Sequence, residues 1–269
     1  YEFSGIVIST SPRSPLKPGT EVYGRTNFRR DGNARTYTVA TFNEIAAKPK
    51  TWSWAQCAAV PIGGLVAFQA LFSFPLLFEP TLEGWGHAAG LDGRNSKVHL
   101  LITGAASPAG VWAIQLAKLA GVHRIVATCS AEDIPFVRSL GANVALDWAE
   151  DGNLRGWSAE SGGQFNAVLD LMGGHTLTRA WRLVRDGGKI VSVARDTASA
   201  RPAGASNSVL HYNFVLANCP RHLKTIAYLA DTGHLKPVLD PEDIFEFDDF
   251  EAALQKLRNH RRGQVVLQL

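Results

Sequence analysis

The chain has 269 residues, of which 46% are hydrophobic and 19% charged, values typical of a globular enzyme with a substantial core. Its formal charge of +3 comes from scattered basic residues, which argues against a nucleic-acid-binding stripe. The three cysteines are far apart and predict neither a disulfide framework nor a zinc cluster, so a reducing compartment, the cytoplasm, is the expected location. No apolar run reaches the ~20 residues that a membrane span needs, and no membrane partner is expected.

The first part of the chain predicts short strands at 3–9, 21–24 and 36–40, a spacing typical of a small β-barrel-like module. A capping box formed by Ser53 and Gln56 predicts a helix from Trp54. Pro-Ile-Gly-Gly at 61–64 is expected to interrupt that helix before it resumes over 65–72. Residues 73–97 predict a long surface excursion. Because the chain begins at Tyr1 without an initiator methionine, directly before a predicted strand, the natural polypeptide is expected to extend further upstream.

Strands and helices alternate in the centre of the chain. Strands are predicted at 100–102, 124–128, 143–146, 166–171 and 189–193, and the helices between them run to Lys118 and over 134–140 and 176–184. Such alternation is typical of a parallel sheet covered on both faces. The tail predicts helices at 221–231 and 250–260 and a last strand at 264–268.

The sequence Gly104-x-x-Ser107-x-x-Gly110 follows the first central strand and opens a helix, which is close to a dinucleotide-binding fingerprint. Ligands of parallel sheets bind at the carboxyl ends of the strands. The candidate cofactor-binding residues at these ends are Gly104, Ala106, Ser107, Pro108, Ala109, Gly110, Val111, Thr128, Ser130, Gly173, Val193 and Ala194. Pro108 removes one N–H donor, and Ser107 adds a hydroxyl that can donate to phosphate. The alternative is a plain helix start without a ligand.

The end of the second central strand bears on the type of cofactor. No Asp or Glu stands at 128–130 to bind the ribose hydroxyls of NAD, which favours NADP. Glu132 and Asp133 oppose this choice, because a 2′-phosphate needs a cation. Arg124 and Arg138 are the nearest basic candidates in the sequence.

Other chemistries fit the sequence less well. The eight histidines are dispersed without a metal-binding pair, so no metal site is predicted. Residues 105–109 lie at a strand-to-helix turn, as the nucleophile of a hydrolase does, but they lack the flanking glycines of that motif.

Several segments together resemble the medium-chain dehydrogenase/reductase superfamily, in its zinc-free quinone reductase and enoyl reductase branch. They are residues 3–7, 17–24, 58–71, 114–118, 137–142 and 263–267. The resemblance implies a GroES-like catalytic domain at 1–66 and 211–269, incomplete at its start, around a Rossmann cofactor-binding domain at 67–210. It places Tyr1 and Ile62 near the zinc ligands of metal-dependent relatives, so zinc is not expected. It also places Val66 at the nicotinamide end of the cofactor site, where a hydroxyl is usual.

The resemblance implies an NADP(H)-dependent reductase that transfers hydride to an α,β-unsaturated carbonyl or to a quinone. The turn at 128–130 is similar to that of fungal reductases that partner polyketide pathways, and many relatives are homodimers. No catalytic acid is assigned. The alternative is a family member without redox function that cyclises or binds a polyketide-like small molecule. The replacements at Ser107, Pro108 and Val66 motivate that alternative.

Overall fold

A computed structural model of the chain describes residues 1–86, 93–150, 156, 164–194, 197–259 and 262–269. The strands are β1 (Glu2–Ile6), β2 (Glu21–Arg25), β3 (Ile45–Ala47), β4 (His99–Thr103), β5 (Arg124–Cys129), β6 (Val144–Asp147), β7 (Phe165–Asp170), β8 (Val184–Ser192), β9 (Leu210–Asn213), β10 (Ile244–Glu246) and β11 (Val266–Gln268). The described helices are α1 (Trp54–Ala58), α2 (Pro61–Phe72), α3 (Gly110–Leu119), α4 (Ile134–Leu140), α5 (Gly174–Trp181), α6 (Pro220–Asp231) and α7 (Phe250–Asn259). None of the helices in these ranges is both long and apolar enough to span a membrane.

The chain divides into two compact units, one formed by Tyr1–Leu65 with Ala217–Leu269 and the other by Val66–Leu216. The expected second boundary, between 210 and 211, falls inside β9 in the structure. β9 pairs with β8 from Leu210 to Asn213, and the next residue, Phe214, donates its N–H to the carbonyl of Ser192 at 2.8 Å. The strand therefore belongs to the central unit.

The central unit is a six-stranded sheet with the order β6-β5-β4-β7-β8-β9, in which every neighbouring pair is parallel. Numbered within the unit, this order is 3-2-1-4-5-6, the arrangement of the Rossmann fold. The predicted α/β class with a doubly wound parallel sheet is confirmed. The order reverses between β4 and β7, so the crevice at their carboxyl ends is the expected ligand position.

The core of the central unit explains why β4 reads as an uninterrupted apolar run. Leu100, Leu101 and Ile102 are all 0% exposed, because both faces of a parallel sheet are covered. Leu101 packs in one cluster with Val168 of β7 and with Trp181 of α5. Burial at this point fixes the strand that leads into the Gly104 turn.

The other unit contains the antiparallel sheet β1-β2-β3 and the parallel pair β10-β11. Its helix α1 has the predicted capping box, in which Ser53 and Gln56 exchange side-chain and backbone hydrogen bonds. The predicted strand at 36–40 is wrong, and the third strand lies at 45–47 instead. Tyr37 and Val39 are 72% and 79% exposed, so alternation in this segment does not mark a buried face of a sheet.

Two glycine-containing segments also differ from expectation. Pro61-Ile-Gly-Gly does not interrupt a helix but forms the first turn of α2, where proline loses no hydrogen bond because its position has no intrahelical acceptor. The glycines at 187–188 lie inside β8, which begins at Val184, the last residue of the helix predicted over 176–184. Gly187 has φ +70°, and the register between β7 and β8 shifts between Phe165 and Ala167. The pair thus contains a bulge.

Candidate functional site

The candidate site is the carboxyl edge of the central sheet around the reversal of strand order. The N–H of Ala105 donates to the carbonyl of Thr128 at 2.9 Å, which joins the turn after β4 to the end of β5. The hydroxyl of Thr103 donates to Asp170 at 2.7 Å, which joins β4 to β7. The hydroxyl of Ser192 donates to the same carboxylate at 2.7 Å, which adds β8. The four predicted strand ends are therefore neighbours.

The turn between β4 and α3 requires both of its glycines. Gly104 has φ +65°, a conformation that favours glycine. A Cβ on Gly110 would lie 2.4 Å from the carbonyl oxygen of Ala105 and 2.6 Å from that of Gly104, so only glycine fits between these backbone atoms. The turn holds the chain tightly against its own backbone as α3 begins.

Ser107 and Pro108 alter the donors of this turn without abolishing them. The Oγ of Ser107 accepts the N–H of Gly110 at 3.2 Å, which removes that N–H from the set open to a ligand. The serine hydroxyl keeps its own proton, which has no acceptor in the described part of the chain. The N–H groups of Ala106 and Ala109 likewise donate no hydrogen bond to any described residue. Three donors thus remain at a helix N-terminus, where an anion is favoured.

The remaining turn residues have lesser parts. Ser107, Pro108 and Ala109 are partly exposed, whereas Val111 is buried in α3 and donates its N–H to the carbonyl of Ser107 at 3.1 Å. Val111 therefore supports the turn and offers no free backbone donor.

At the end of β5, residue Thr128 is 3% exposed, and its Oγ1 has no hydrogen-bond partner among the described residues. Such an orphaned buried hydroxyl is unusual. The Ser130 hydroxyl is already used, since it donates to the Asp133 carboxylate at 2.7 Å.

The two basic candidates for a phosphate do not lie at the same place. Arg124 is the first residue of β5, paired with His99, so it lies at the amino end of the sheet. Five residues of strand, about 17 Å, separate it from Cys129, and the expectation that it neighbours the cofactor site is wrong. Arg138 lies on α4 and is close enough to lower the pKa of Cys129, although burial, Asp133 and Asp147 together raise that pKa to about 11.

The loops after β7 and β8 meet each other. Gly173 has φ +72°, and a Cβ on it would lie 2.5 Å from the Cβ of Ala194. The N–H of Val193 donates to the carbonyl of Asp170 at 3.0 Å. Sequence reasoning named Gly173, Val193 and Ala194 but missed Asp170, which is 0% exposed. The sequence did contain a signal for Asp170, namely a single carboxylate at the end of an apolar strand.

Comparison with known proteins decides the family. A protein of Arthroderma benhamiae named "Probable zinc-binding oxidoreductase, mitochondrial" is 32% identical over 271 residues, which cover 100% of this chain and 78% of that protein. The chain belongs to the medium-chain dehydrogenase/reductase superfamily. A model of the zinc-binding dehydrogenase family matches residues 140–267, in agreement with this assignment.

Two further members of this superfamily show how far the likeness extends. The "NADPH-dependent alkenal/one oxidoreductase, chloroplastic" of Arabidopsis thaliana is 28% identical over 276 residues, covering 99% of this chain and 62% of that protein. The crystal structure of an alcohol dehydrogenase superfamily protein from Novosphingobium aromaticivorans has a TM-score of 0.83 at 22% identity, covering 100% of this chain and 81% of that one. The second likeness concerns the fold.

Tyr1 and Ile62, which the resemblance places near the zinc ligands of metal-dependent relatives, make other contacts in this structure. Ile62 donates its N–H to the Glu2 carboxylate at 2.6 Å, and Tyr1 is an exposed aromatic residue stacked edge-on against Phe28. Across the described ranges, no group of three or more His, Cys, Asp or Glu side chains is arranged to hold a metal. Val66 lies on α2 and is partly exposed. The hydrogen bonds described above between the strand ends do not involve it.

Proposed function

We propose that this chain is a zinc-independent NADPH-dependent reductase of α,β-unsaturated carbonyl compounds or quinones. The oxidoreductase class and the nicotinamide cofactor come with the superfamily, and the Arabidopsis relative carries NADPH and alkenal/one in its name. The observation that carries the proposal is the Rossmann sheet whose reversal point carries three unused donors at the start of α3.

The residues present fit a dinucleotide. The N–H groups of Ala106 and Ala109 and the hydroxyl of Ser107 would hold the pyrophosphate at the positive end of the α3 dipole. Gly104 and Gly110 let the turn pack tightly against its own backbone, which sets the position of these donors at the start of α3. The orphaned hydroxyl of Thr128 would bind at the ribose of the adenosine.

The preference for NADPH over NADH would depend on the end of β5. Ser130 would leave room for a 2′-phosphate, and Arg138 is a cation near enough to the end of β5 to act on Cys129. The carboxylate of Asp133 opposes it, but that carboxylate accepts the hydroxyl of Ser130 and is 3% exposed, so it is turned to the protein.

When bound, NADPH supplies the hydride, which would go to the β-carbon of the enone or to the quinone. Gly173, Val193 and Ala194 would line the continuation of the crevice along the sheet edge, and Val66 would offer an apolar side chain at the nicotinamide end. The developing enolate needs hydrogen-bond donors from the protein rather than a metal, because Tyr1 and Ile62 carry no zinc-binding side chain. The proton that completes the reduction is not assigned to a residue.

The test is a titration of the purified protein with NADPH, followed by nicotinamide fluorescence, and then addition of enones and quinones while nicotinamide absorbance is recorded. Saturable binding and substrate-dependent loss of absorbance are expected. No binding at millimolar NADPH would overturn the reductase. NADPH-independent conversion of a polyketide-like substrate would instead establish the non-redox alternative.

Gel filtration and cell fractionation test the homodimer and the cytoplasmic location, which stay predictions. Relatives with mitochondrial and chloroplastic names make the location worth measuring.

A further inference from the structure

A single buried carboxylate connects the ends of three central strands. Asp170 ends β7, and its Oδ1 accepts the hydroxyl of Thr103, the last residue of β4. Its Oδ2 accepts the hydroxyl of Ser192, the last residue of β8, and the N–H of Gly173 at 2.9 Å. All three side chains are 0% exposed. The carboxylate is thus satisfied by three donors from three different segments.

Each of the two hydroxyls that donate to Asp170 also accepts a hydrogen bond from a backbone N–H. The Oγ1 of Thr103 accepts the N–H of Leu171 at 3.1 Å, and the Oγ of Ser192 accepts the N–H of Ala194 at 3.1 Å. Directly or through one hydroxyl, Asp170 therefore fixes the N–H groups of Leu171, Gly173 and Ala194. These are the first residues of the loops that leave β7 and β8.

The two loops also touch, which makes their relative position exacting. Gly173 leaves no room for a Cβ against Ala194, and its φ of +72° is a conformation that non-glycine residues avoid. A shift of either loop would close or open this contact. The carboxylate that holds both loops therefore determines whether their backbones lie side by side at the carboxyl edge of the sheet.

We propose that Asp170 is a positioning residue that sets the backbone of the loops after β7 and β8 before any ligand arrives. The inference rests on the proposed function for its ligand, since these loops contain Gly173, Val193 and Ala194 of the NADPH site. Loops that are already ordered bind without a further loss of conformational entropy, so the effect belongs to affinity rather than to chemistry.

Three variants test the proposal in the full chain. Thr103→Val and Ser192→Ala each remove one hydroxyl with little change in volume. Asp170→Asn offers an amide group where the carboxylate met three donors, so those donors cannot all be satisfied. Thr225→Val is the matched control, because this buried hydroxyl donates to Arg221 of its own helix at 3.2 Å.

The first readout is amide hydrogen exchange of the ligand-free protein. Loss of an amide's acceptor, or of the carboxylate that orients the hydroxyl acceptor, should speed exchange at least about ten-fold. This acceleration is expected at Leu171 in Thr103→Val, at Ala194 in Ser192→Ala, and at all three amides in Asp170→Asn. Amides of β2 should be unchanged in every variant, and Thr225→Val should leave Leu171, Gly173 and Ala194 as in the wild type.

The second readout is the dissociation constant of NADPH, expected to rise about ten-fold, or about 1.4 kcal/mol, in Asp170→Asn. The kcat at saturating NADPH should change much less. Unchanged exchange at the three amides would overturn the proposal, and so would faster exchange with unchanged NADPH affinity. If the wild type binds no NADPH, the proposed function fails, while the exchange data still decide whether Asp170 sets the loops. If Asp170→Asn fails to fold, the two hydroxyl variants decide.

Discussion

Gly110 shows how one residue type is dictated by its neighbours. Its absent side chain leaves room for the carbonyl oxygens of Ala105 and Gly104, both within 2.6 Å of where a Cβ would be. Because these atoms are backbone, they cannot turn aside as a flexible side chain would. Gly110→Ala should therefore lower the free energy of unfolding by about 2–3 kcal/mol, the cost of forcing atoms into a packed site. Urea denaturation measures it.

The matched control is Gly32→Ala, because a Cβ at Gly32 meets nothing within 4 Å. Its stability should stay within about 0.5 kcal/mol of the wild type, as for ordinary surface substitutions. Equal stabilities of the two alanine variants would show that the turn relaxes away from its backbone contacts.

At the scale of elements, sequence patterns predicted what local interactions decide. The apolar run of β4 and the capping box of α1 both appear as expected, since each depends on residues within a few positions. β9 was not predicted, because three of its four residues are exposed at the edge of the sheet and give no alternation of buried and exposed positions. The bulge in β8 was missed because a pair of glycines ends helices more often than it interrupts strands.

The candidate site was predictable in the same measure. The residues of the Gly104 turn and the strand ends follow from the rule that ligands bind at the carboxyl edge of a parallel sheet. The network around Asp170 was not predictable, because Thr103 and Ser192 come from strands 67 and 22 residues away in the chain. The position of Arg124, by contrast, follows from the sequence, because it begins the predicted strand at 124–128 and so lies at the amino end of the sheet.

The turn between β4 and α3 allows a test of its hydroxyl. Ser107→Ala removes a donor from the proposed pyrophosphate site and releases the N–H of Gly110. Hydrogen bonds to charged groups contribute about 1.5–3 kcal/mol, and the released N–H restores part of that, so the dissociation constant of NADPH should rise about three- to ten-fold. Fluorescence titration of the nicotinamide measures it.

Ser139→Ala serves as the control for that variant. Its hydroxyl donates to Phe136 within α4, at 2.7 Å, and its removal should leave NADPH affinity unchanged. If Ser107→Ala binds NADPH as tightly as the wild type, the serine is a helix cap alone, and the phosphate is held by backbone groups.

At the scale of the whole molecule, the pH dependence of stability should reflect one carboxyl group in the unit formed by Tyr1–Leu65 and Ala217–Leu269. Burial raises the pKa of Glu2 to about 7, against smaller opposing effects of the Ile62 N–H and Arg25. Gln264 also donates to its Oε2 at 2.9 Å. Protonated Glu2 is therefore the form that the folded protein favours below about pH 7.

The sign of the effect follows from this raised pKa. The stability that protonation contributes is full below the ordinary value of 4.5 and is lost as the pH rises through about 7. The wild type should thus lose about 1–3 kcal/mol between pH 5 and pH 8 from this group. Glu2→Gln has no proton to lose, and its amide can accept the N–H of Ile62, so its thermal midpoint should fall less over the same range. Glu251→Gln, at an exposed position of α7, should parallel the wild type. Parallel curves for Glu2→Gln and the wild type would show that Glu2 titrates as an ordinary surface carboxylate.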